Sequence, residues 1–504
     1  MTTDRPQRAT VDVAHEARLV RWAVADRDGV AVLSDPTTVR SGEGPTDPTH
    51  LVVGAGHPLR VAILCGPDAA AERALRSALL AAGAELVATR AARESASFIE
   101  VAEALRAGRP GLVIAHAPEH RDIDGVETLV EALRYGCRDV GPAPRLLVAG
   151  DARATARLRL AGTGLAVEIL PDPRRPDGRS ALVRRIRDLR RGTDPALVLR
   201  DEAVEEVARL VAARDGAPAL VVDVAGGSTS LAQATPAGLV TAAHLPGLGC
   251  GSGADRVVAR AGLDAVRRWI PWAVDEPTLL ERVFNRARWP DAVPADRLGL
   301  VLVLALAHEA IGHLLAEADA LRVGATLRAA RTVVLCGVAA RTPRAAQGVL
   351  LALDALGLTG ASSLCRDDVD ALLAIGGVAA RMHAVDGGDP NRVLAAATAQ
   401  ATVPLAFLVP AAPSRKGRVA VNGYDGLAQV ALDRGALFAL PASGAVEVRL
   451  PGVAHPSRGV AGAQGVVIDV RGRPIGLPAR DAERVPTVAK WYAALDALPP
   501  EPAP

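Results

Sequence analysis

The sequence is poor in aromatic residues and in lysine. Phe, Trp and Tyr make up 2% of its 504 residues, so a core must be built from Ala, Val and Leu. Lys416 and Lys490 are its only lysines, and no Gly-Lys-Ser/Thr motif is present, which excludes a Walker-type ATPase. The Gly-x-Ser-x-Gly motif is also missing, so nothing points to the nucleophile turn of an α/β-hydrolase.

Cysteine and net charge are low as well. The five cysteines are scattered, with no Cys-x-x-Cys pair, which favours reduced thiols over a disulfide framework or a zinc cage. A net charge of +2 leaves no excess of basic residues for a nucleic-acid partner.

The first twenty residues lack the apolar segment of a signal peptide. The longest apolar run, 298–307, is about half a membrane span and predicts a buried helix. We therefore expect a cytoplasmic protein that binds neither nucleic acid nor membrane.

Short apolar segments alternate with helical patterns along the chain, which predicts βαβ units on a parallel sheet. The length allows two or three domains. We expect a disordered N-terminus over 1–16, a first α/β domain over 17–200 and a second over 201–402. A small β-rich domain over 403–504 follows, closed by a helix around Trp491.

The most informative segment is 219–230. Four apolar residues predict a buried strand, and Asp223 lies at its carboxyl end, where α/β sheets place ligands. The small residues that follow let backbone amides approach a phosphate, and an Asp beside a phosphate usually holds Mg²⁺ through water. The alternative is a strand with an ordinary glycine turn. The candidate residues are Asp223, Gly226, Gly227, Ser228 and Thr229.

A second glycine-rich segment, 247–255, precedes a predicted helix. Backbone amides at a helix N-terminus favour anions, and Asp255 in the first turn suits the helix dipole. Gly249, Gly251 and Ala254 also satisfy a loose dinucleotide-binding pattern. No βαβ unit ending in a ribose-binding acid accompanies it, so a flexible turn is the alternative.

Two histidine pairs imitate zinc motifs. His308 and His313 are five positions apart, which separates them by about 140° on a helix. Pro118 would break the helix needed to bring His116 and His120 together. We predict zinc at neither pair.

Four of the few aromatic residues fall within 21 positions, at Trp269, Trp272, Phe284 and Trp289. Trp with neighbouring Arg is typical of protein-binding hot spots. Local helix packing is the alternative interpretation.

In their serial order these segments resemble the MutL/GlmL family. Its members are actin-like accessory proteins encoded beside adenosylcobalamin-dependent glutamate mutase and related aminomutases. The resemblance covers nearly the whole chain: the Asp223 loop, the Trp-rich helices, and the segments 331–337, 374–377 and 466–474. It implies duplicated actin-like (ribonuclease H-like) α/β ATPase domains with a small β-rich C-terminal domain.

The resemblance also implies a function. The protein would be a nucleotide-binding chaperone or reactivating factor for an adenosylcobalamin-dependent mutase, with ATP and Mg²⁺ as cofactors. Asp223 would be the catalytic residue and hold Mg²⁺ through water, residues 226–229 would cradle phosphate, and Gly337 would line the adenosine side. Gly249, Gly251 and Asp255 are further candidates for phosphate contact.

The chain departs from the family pattern at both phosphate loops. The family's first loop ends in Asp-x-Gly-Ser-Thr, but the corresponding segment 24–30 lacks the hydroxyl residues. Ala225, Ser230 and Val338 replace a Gly, an Asp and a Gly. Because the two loops clamp the β- and γ-phosphates from opposite domains, losing one weakens hydrolysis more than binding. We expect a divergent member, either a weak ATPase or a catalytically inactive scaffold. A sugar or small-acid kinase of the same fold is a further alternative, although no acidic residue stands out as its base.

Overall fold

The computed structural model describes residues 8–498 except 16–17, 28–29, 34–36, 41–49, 93–95, 118, 120–121, 140, 291, 293, 295, 343, 386–389, 412–416, 424–425 and 432–434. Asp28 and Gly29 of the degenerate first loop, and residues 1–7 of the predicted disordered N-terminus, lie outside the described residues. Within the described residues the protein is a mixed α/β protein with four sheets.

The strands are β1 (Arg8–His15), β2 (Arg18–Arg27), β3 (Val30–Leu33), β4 (Thr37–Arg40), β5 (His50–Gly54), β6 (Arg60–Cys65), β7 (Glu85–Ala91), β8 (Leu112–Ala117), β9 (Arg145–Gly150), β10 (Ala166–Leu170), β11 (Leu197–Leu199), β12 (Ala219–Val224), β13 (Ser228–Ala234), β14 (Val240–Pro246), β15 (Thr332–Gly337), β16 (Ser362–Arg366), β17 (Val403–Pro410), β18 (Arg418–Gly423), β19 (Gly426–Ala431), β20 (Leu437–Leu440), β21 (Gly444–Arg449), β22 (Ser457–Ala461) and β23 (Val466–Asp469).

The helices are α1 (Ala69–Ala81), α2 (Phe98–Gly108), α3 (Ile123–Gly136), α4 (Ala152–Ala161), α5 (Pro176–Arg191), α6 (Arg200–Asp215), α7 (Ala254–Ala261), α8 (Leu263–Arg267), α9 (Glu276–Arg288), α10 (Arg297–Ala320), α11 (Gly324–Arg328), α12 (Ala345–Leu356), α13 (Ala371–Val385), α14 (Pro390–Ala401) and α15 (Asp481–Ala494).

The chain forms two compact units. The first consists of Met1–Ala55, Ala196–Ala242 and Gly247–Pro504, and the second of Gly56–Pro195 with Ala243–Pro246. The second unit is inserted in the chain between β5 and β11, an arrangement that the sequence analysis did not predict. The domain limits given there, at 200/201 and 402/403, stay a prediction.

Two sheets of the first unit share one strand order. One runs β11-β5-β1-β2-β3 and the other begins β14-β13-β12-β15-β16. β4, the sixth strand of the first sheet, pairs with β2 off this path. Without β4, and with the first sheet read from its β3 edge, both sheets have the order third, second, first, fourth, fifth, numbered along the chain. The pairings agree too: the first strand is antiparallel to the second and parallel to the fourth, and the fourth is parallel to the fifth. Strand β1 lies within the segment that was predicted to be disordered.

Two helices occupy equivalent places behind these sheets. α6 follows the fifth strand of one sheet and α13 follows the fifth strand of the other. α6 packs on α13, β12 and β13, while α13 contacts β1 and β5. One apolar core joins them, and it includes Val11, Val53, Val207, Val221 and Leu372. Since β12 is covered on both faces, its uniformly apolar sequence around Asp223 is that of a central strand.

The C-terminal segment is divided between two sheets. Strands β17, β23 and β20 extend the second sheet to eight strands, and β19-β18-β21-β22 form a separate four-stranded sheet. The helix predicted around Trp491 is confirmed as α15.

The second unit contains a five-stranded parallel sheet in the order β10-β9-β8-β6-β7. Numbered from its first strand this is the flavodoxin-like order 2-1-3-4-5. The predicted alternation of parallel strands and helices is confirmed here.

Helix α10 is the helix among the described residues that is long and apolar enough to cross a membrane, and 67% of its most apolar window is buried inside the protein. Core helices of soluble proteins pass the same test. The predicted buried helix over 298–307 corresponds to its first half, in which residues 301–307 are buried.

We predict that Gly376→Ala destabilises the fold. A Cβ at this position of α13 would lie 2.3 Å from the carbonyl oxygen of Ala203 on α6, so the two helices would have to separate. We expect a loss of about 1–3 kcal/mol in the free energy of unfolding, measured by denaturant titration. Gly312→Ala on α10 is the control, since a Cβ there has no atom within 4 Å and should be neutral or stabilise by up to about 1 kcal/mol. Equal effects of the two substitutions would contradict the packing of α6 on α13.

Candidate functional site

The candidate site lies at the carboxyl ends of three neighbouring parallel strands, β12, β15 and β16. Asp223 is the last residue but one of β12, and Gly337 ends β15. The structure brings these two predicted residues together. Gly337 has a φ of +67°, and a Cβ there would lie 2.6 Å from Asp223 Oδ1. Glycine is therefore required by both the conformation and the close approach.

Asp223 is bound by Arg200, the first residue of α6. Arg200 donates from Nε to Oδ2 at 2.6 Å and from Nη2 to Oδ1 at 2.8 Å. The side chains are 5% and 0% exposed. Burial lowers the pKa of the Arg200 guanidinium, but its attraction to Asp223 and its hydrogen bonds to that carboxylate outweigh burial and raise the pKa above its usual value. The pair is a bidentate contact between a guanidinium and a carboxyl group inside the protein.

Further charges surround the pair. Asp367 follows β16 and caps α13, accepting hydrogen bonds from the amides of Ala371 at 2.9 Å and Leu372 at 2.8 Å. Asp370 is buried and accepts from Arg341 Nη1 at 3.2 Å. Burial first, and then the charge of Asp370, raise the pKa of Asp367 to about 7, although hydrogen bonds to backbone amides oppose the rise. The site is a network of two arginines and three aspartates, in which Arg200 and the aspartates are buried and Arg341 is exposed.

The two glycine-rich segments form one structure. The amide of Ala225 closes the first turn on the carbonyl of Ser228 at 2.9 Å. Four amides of the second segment donate to carbonyls of the first: Gly247 to Gly227 at 2.7 Å, Cys250 to Ala225 at 3.0 Å, and Gly251 and Gly253 to Gly226 at 2.8 and 3.0 Å. These amides are used inside the protein and are not available to a phosphate.

The contact between the two glycine-rich segments requires glycine at position 249. A Cβ on Gly249 would lie 2.4 Å from the carbonyl oxygen of Gly226, and one on Gly251 would lie 2.9 Å from the Cα of Gly226. The glycines of the second segment therefore permit close packing on the first turn. Such packing explains their presence without a ligand.

The remaining candidates differ in exposure. Thr229 is fully buried, and its hydroxyl donates to the carbonyl of Leu248 at 2.8 Å. Gly226, Gly227 and Ser228 are half-buried, so they are the part of the turn that solvent can reach. Asp255 in the first turn of α7 accepts from the amide of Arg256 at 2.9 Å.

The donors do not fit the expected Mg²⁺ site in this arrangement. A water-mediated Mg²⁺ needs a carboxylate oxygen open to the hydration shell of the ion. Both oxygens of Asp223 accept from Arg200, and no part of the side chain is exposed. Among the described residues there is no group of three or more His, Cys, Asp or Glu side chains arranged to hold a metal ion. A guanidinium lies where the cation was expected.

Arg200 is a residue of the site that was not among those predicted from the sequence. The residue lies 23 positions before Asp223 and begins a different element. The sequence feature that could have identified Arg200 is its position directly after the short buried strand β11. This position places a long basic side chain at the carboxyl edge of a sheet. In a chain with so many arginines that signal has little weight.

The aromatic cluster divides into a buried part and an exposed part. Trp269 is 8% exposed, stacks on His308 with ring centroids 3.5 Å apart, and donates from Nε1 to Glu309 at 2.7 Å. Phe284 and Trp289, in contrast, are 59% and 62% exposed. Helix packing accounts for Trp269 and not for the other two.

No protein-family model matches the chain, and no curated protein matches it. Solved structures give matches of low similarity. An activator of the 2-hydroxyisocaproyl-CoA dehydratase from Clostridium difficile with bound ADPNP is 9% identical, over 74% of this chain and 94% of that chain, with a TM-score of 0.28. An exopolyphosphatase from Cytophaga hutchinsonii is 11% identical over 78% and 89%, with a TM-score of 0.23. An acetone carboxylase without nucleotide is 11% identical over 73% and 70%, with a TM-score of 0.25. Similarities at this level are too low to support a conclusion about the fold or the function of this chain.

We predict that Arg200→Met destabilises the protein by about 3–5 kcal/mol, because it leaves the Asp223 carboxylate buried and unpaired. Asp223→Asn should cost a similar amount, since it removes the carboxylate charge that binds the buried Arg200 guanidinium in a bidentate contact. The double variant should lose clearly less than the sum of the singles in a double-mutant cycle. Arg458→Met is the control: its exposed ion pair with Glu447 should contribute less than about 1 kcal/mol. Additive losses at 200 and 223 would contradict the ion pair.

Asp367 should make stability depend on pH. Its folded pKa of about 7 is above the ordinary 3.8, so the native state binds the proton more tightly. The stabilising contribution is fully present below pH 3.8 and is lost as the pH rises through 7. Relative to Asp367→Asn, the wild type should lose roughly 2–4 kcal/mol between pH 4 and pH 8, measured by urea unfolding at each pH. Asp368→Asn, a change at a partly exposed neighbour, should follow the wild type. A difference from Asp367→Asn that does not change with pH would exclude a raised pKa at Asp367.

Proposed function

We propose that this protein is an accessory protein of the actin-like (ribonuclease H-like) fold that acts by binding a partner enzyme and not by hydrolysing Mg-ATP. The observation that carries the proposal is the buried bidentate contact between Arg200 and Asp223. Of the alternatives left by the sequence, it favours the inactive scaffold over the ATP-driven reactivating factor.

The strand order supports the fold assignment. Two sheets repeat the order third, second, first, fourth, fifth, and each is followed by a helix that packs against the other. This repeat agrees with the duplicated domains that the resemblance to the MutL/GlmL family implies. The candidate residues Asp223 and Gly337 then lie at the strand ends where α/β sheets bind ligands.

The chemistry of phosphoryl transfer argues against hydrolysis. It depends on Mg²⁺ and fixed donors that neutralise charge developing on the transferred phosphoryl group. Here the carboxylate expected to position Mg²⁺ is neutralised by Arg200. Freeing it would break a buried ion pair, at about 3–5 kcal/mol. The second glycine segment also uses four of its own amides to hold the first turn. A nucleotide that used Asp223 to position Mg²⁺ would have to displace Arg200 from both carboxylate oxygens.

The partner we propose is an adenosylcobalamin-dependent mutase such as glutamate mutase or an aminomutase, as the resemblance implies. The side chains we assign to this contact are Phe284 and Trp289, on and directly after α9. Both are more than half exposed in a chain with few aromatic residues, and the Arg288 guanidinium lies 5.6 Å from the Trp289 ring centroid. Trp and Arg are the residues most enriched at interface hot spots.

The test is binding to purified mutase with and without Mg-ATP, by calorimetry, together with ATP turnover by this protein alone. We expect a dissociation constant that changes less than two-fold with Mg-ATP and no turnover above a heat-inactivated control. Trp289→Ala should weaken binding at least about ten-fold, whereas Leu239→Ala, at another exposed apolar side chain, should not. Turnover abolished by Asp223→Asn, or mutase binding that requires Mg-ATP, would contradict the scaffold and restore the ATP-driven alternative. No binding to any such mutase would exclude the partner.

A further inference from the structure

A cavity of about 590 Å³ lies away from the Asp223 network. Its floor includes Trp269, His308 and Asp354, and one wall is the apolar segment 474–479 that precedes α15. Arg267 and Arg268 also line the cavity, together with Asp264, Asp481 and Arg484. The volume is within the range of roughly 300–1,000 Å³ typical of small-molecule sites.

A second, smaller chamber adjoins the same three floor residues. Its volume is about 20 Å³, enough for one water-sized group. Apolar side chains from α10, α12 and α15 surround it, and its polar lining includes His308, Gln347 and Asp354. Because His308 and Asp354 line both spaces, they form the boundary between chamber and cavity.

Two buried polar atoms at the chamber have no hydrogen-bond partner in the described part of the chain. They are Nε2 of His308 and Nε2 of Gln347. The first residue is 9% exposed and the second is fully buried. Buried polar groups are nearly always paired, by protein or by a bound molecule. A group that both donates and accepts would satisfy His308 as an acceptor and Gln347 as a donor.

The surrounding charge selects a neutral group. Burial first, and then the charges of Arg268 and Arg471, keep the pKa of His308 well below its usual value. His308 is therefore a neutral acceptor. The cavity lining carries Asp264, Asp354 and Asp481 as well as Arg267, Arg268 and Arg484, so its charges balance and favour neither an anionic nor a cationic ligand. Asp354 is already engaged by Arg471 Nη2 at 2.6 Å, so its charge is balanced within the protein.

From this geometry we infer that the cavity binds a neutral, hydroxyl-bearing small organic molecule, an alcohol or a phenol. Its hydroxyl donates to Nε2 of His308 and accepts from Nε2 of Gln347, and its apolar body lies along the segment 474–479. This site is independent of the proposed function, since it uses no residue of the Asp223 network and neither of the exposed aromatic side chains, Phe284 and Trp289.

The test uses two matched probe pairs on the full-length protein: 4-ethylphenol with its methyl ether, and benzyl alcohol with its methyl ether. Methylation removes the hydrogen-bond donor and keeps the apolar body. Ligand-observed NMR titration should show at least one hydroxyl probe binding about ten-fold more tightly than its ether, the loss expected for one buried hydrogen bond.

Variants locate the site. His308→Phe keeps a ring that can stack on Trp269 and removes Nε2. In this variant each hydroxyl probe and its methyl ether should therefore bind with about equal affinity. His313→Phe is the matched control on the same helix, because His313 does not line the cavity, and it should retain the preference. If His308→Phe does not fold, Gln347→Leu serves the same purpose from the other side of the chamber.

Two results would overturn the inference. One is that neither hydroxyl probe binds the wild type at millimolar concentration, which would leave the chamber as a site for one structural water. The other is a preference for hydroxyl that survives both His308→Phe and Gln347→Leu, which would place binding elsewhere.

Discussion

The ion pair between Arg200 and Asp223 determines both the stability of the central sheet around β12 and what the end of that strand can bind. A carboxylate at the end of a buried strand must have a counter-charge, because an isolated ion there is far too costly. This chain supplies the charge from the first residue of the preceding helix, α6. The same ion pair also leaves no oxygen of Asp223 free to bind an external cation. The stability of the fold and the proposed absence of ATP hydrolysis therefore have one physical origin.

The glycine segments show the same principle at the backbone level. In a phosphate loop, free amides are kept for the ligand. Here the amides of Gly247, Cys250, Gly251 and Gly253 are satisfied by carbonyls of the neighbouring turn. Glycine content alone does not distinguish these two uses, since both need backbone without a Cβ. The difference lies in where the hydrogen bonds go.

Local features of the fold could be predicted from the sequence, and pairwise contacts could not. The strand ending at Asp223 follows from its apolar run, and the helix around Trp491 from its pattern. The partner of Asp223 did not follow, because Arg200 is distant in sequence and one of very many arginines. The insertion between β5 and β11 was missed for a related reason: its strands and helices have the same alternating pattern as the domain around them. The cavity floor joins Trp269, His308 and Asp354 from three separate segments, which no local pattern connects.

The point of insertion has a consequence for the history of the chain. β5 and β11 are adjacent parallel strands, and the amide of Val52 bonds the carbonyl of Ala196 at 2.9 Å. Because the strands are parallel and Leu197 pairs with Val52, the polypeptide leaves at the carboxyl end of β5 and re-enters at the amino end of β11, one strand spacing to the side and two residues back along the sheet. Parallel neighbours are joined by crossover connections of about a dozen residues or more, and a crossover of that length could take the place of the inserted unit. The flavodoxin-like unit has the geometry of an exchangeable cassette, which recombination could add, remove or replace while the host fold stays closed.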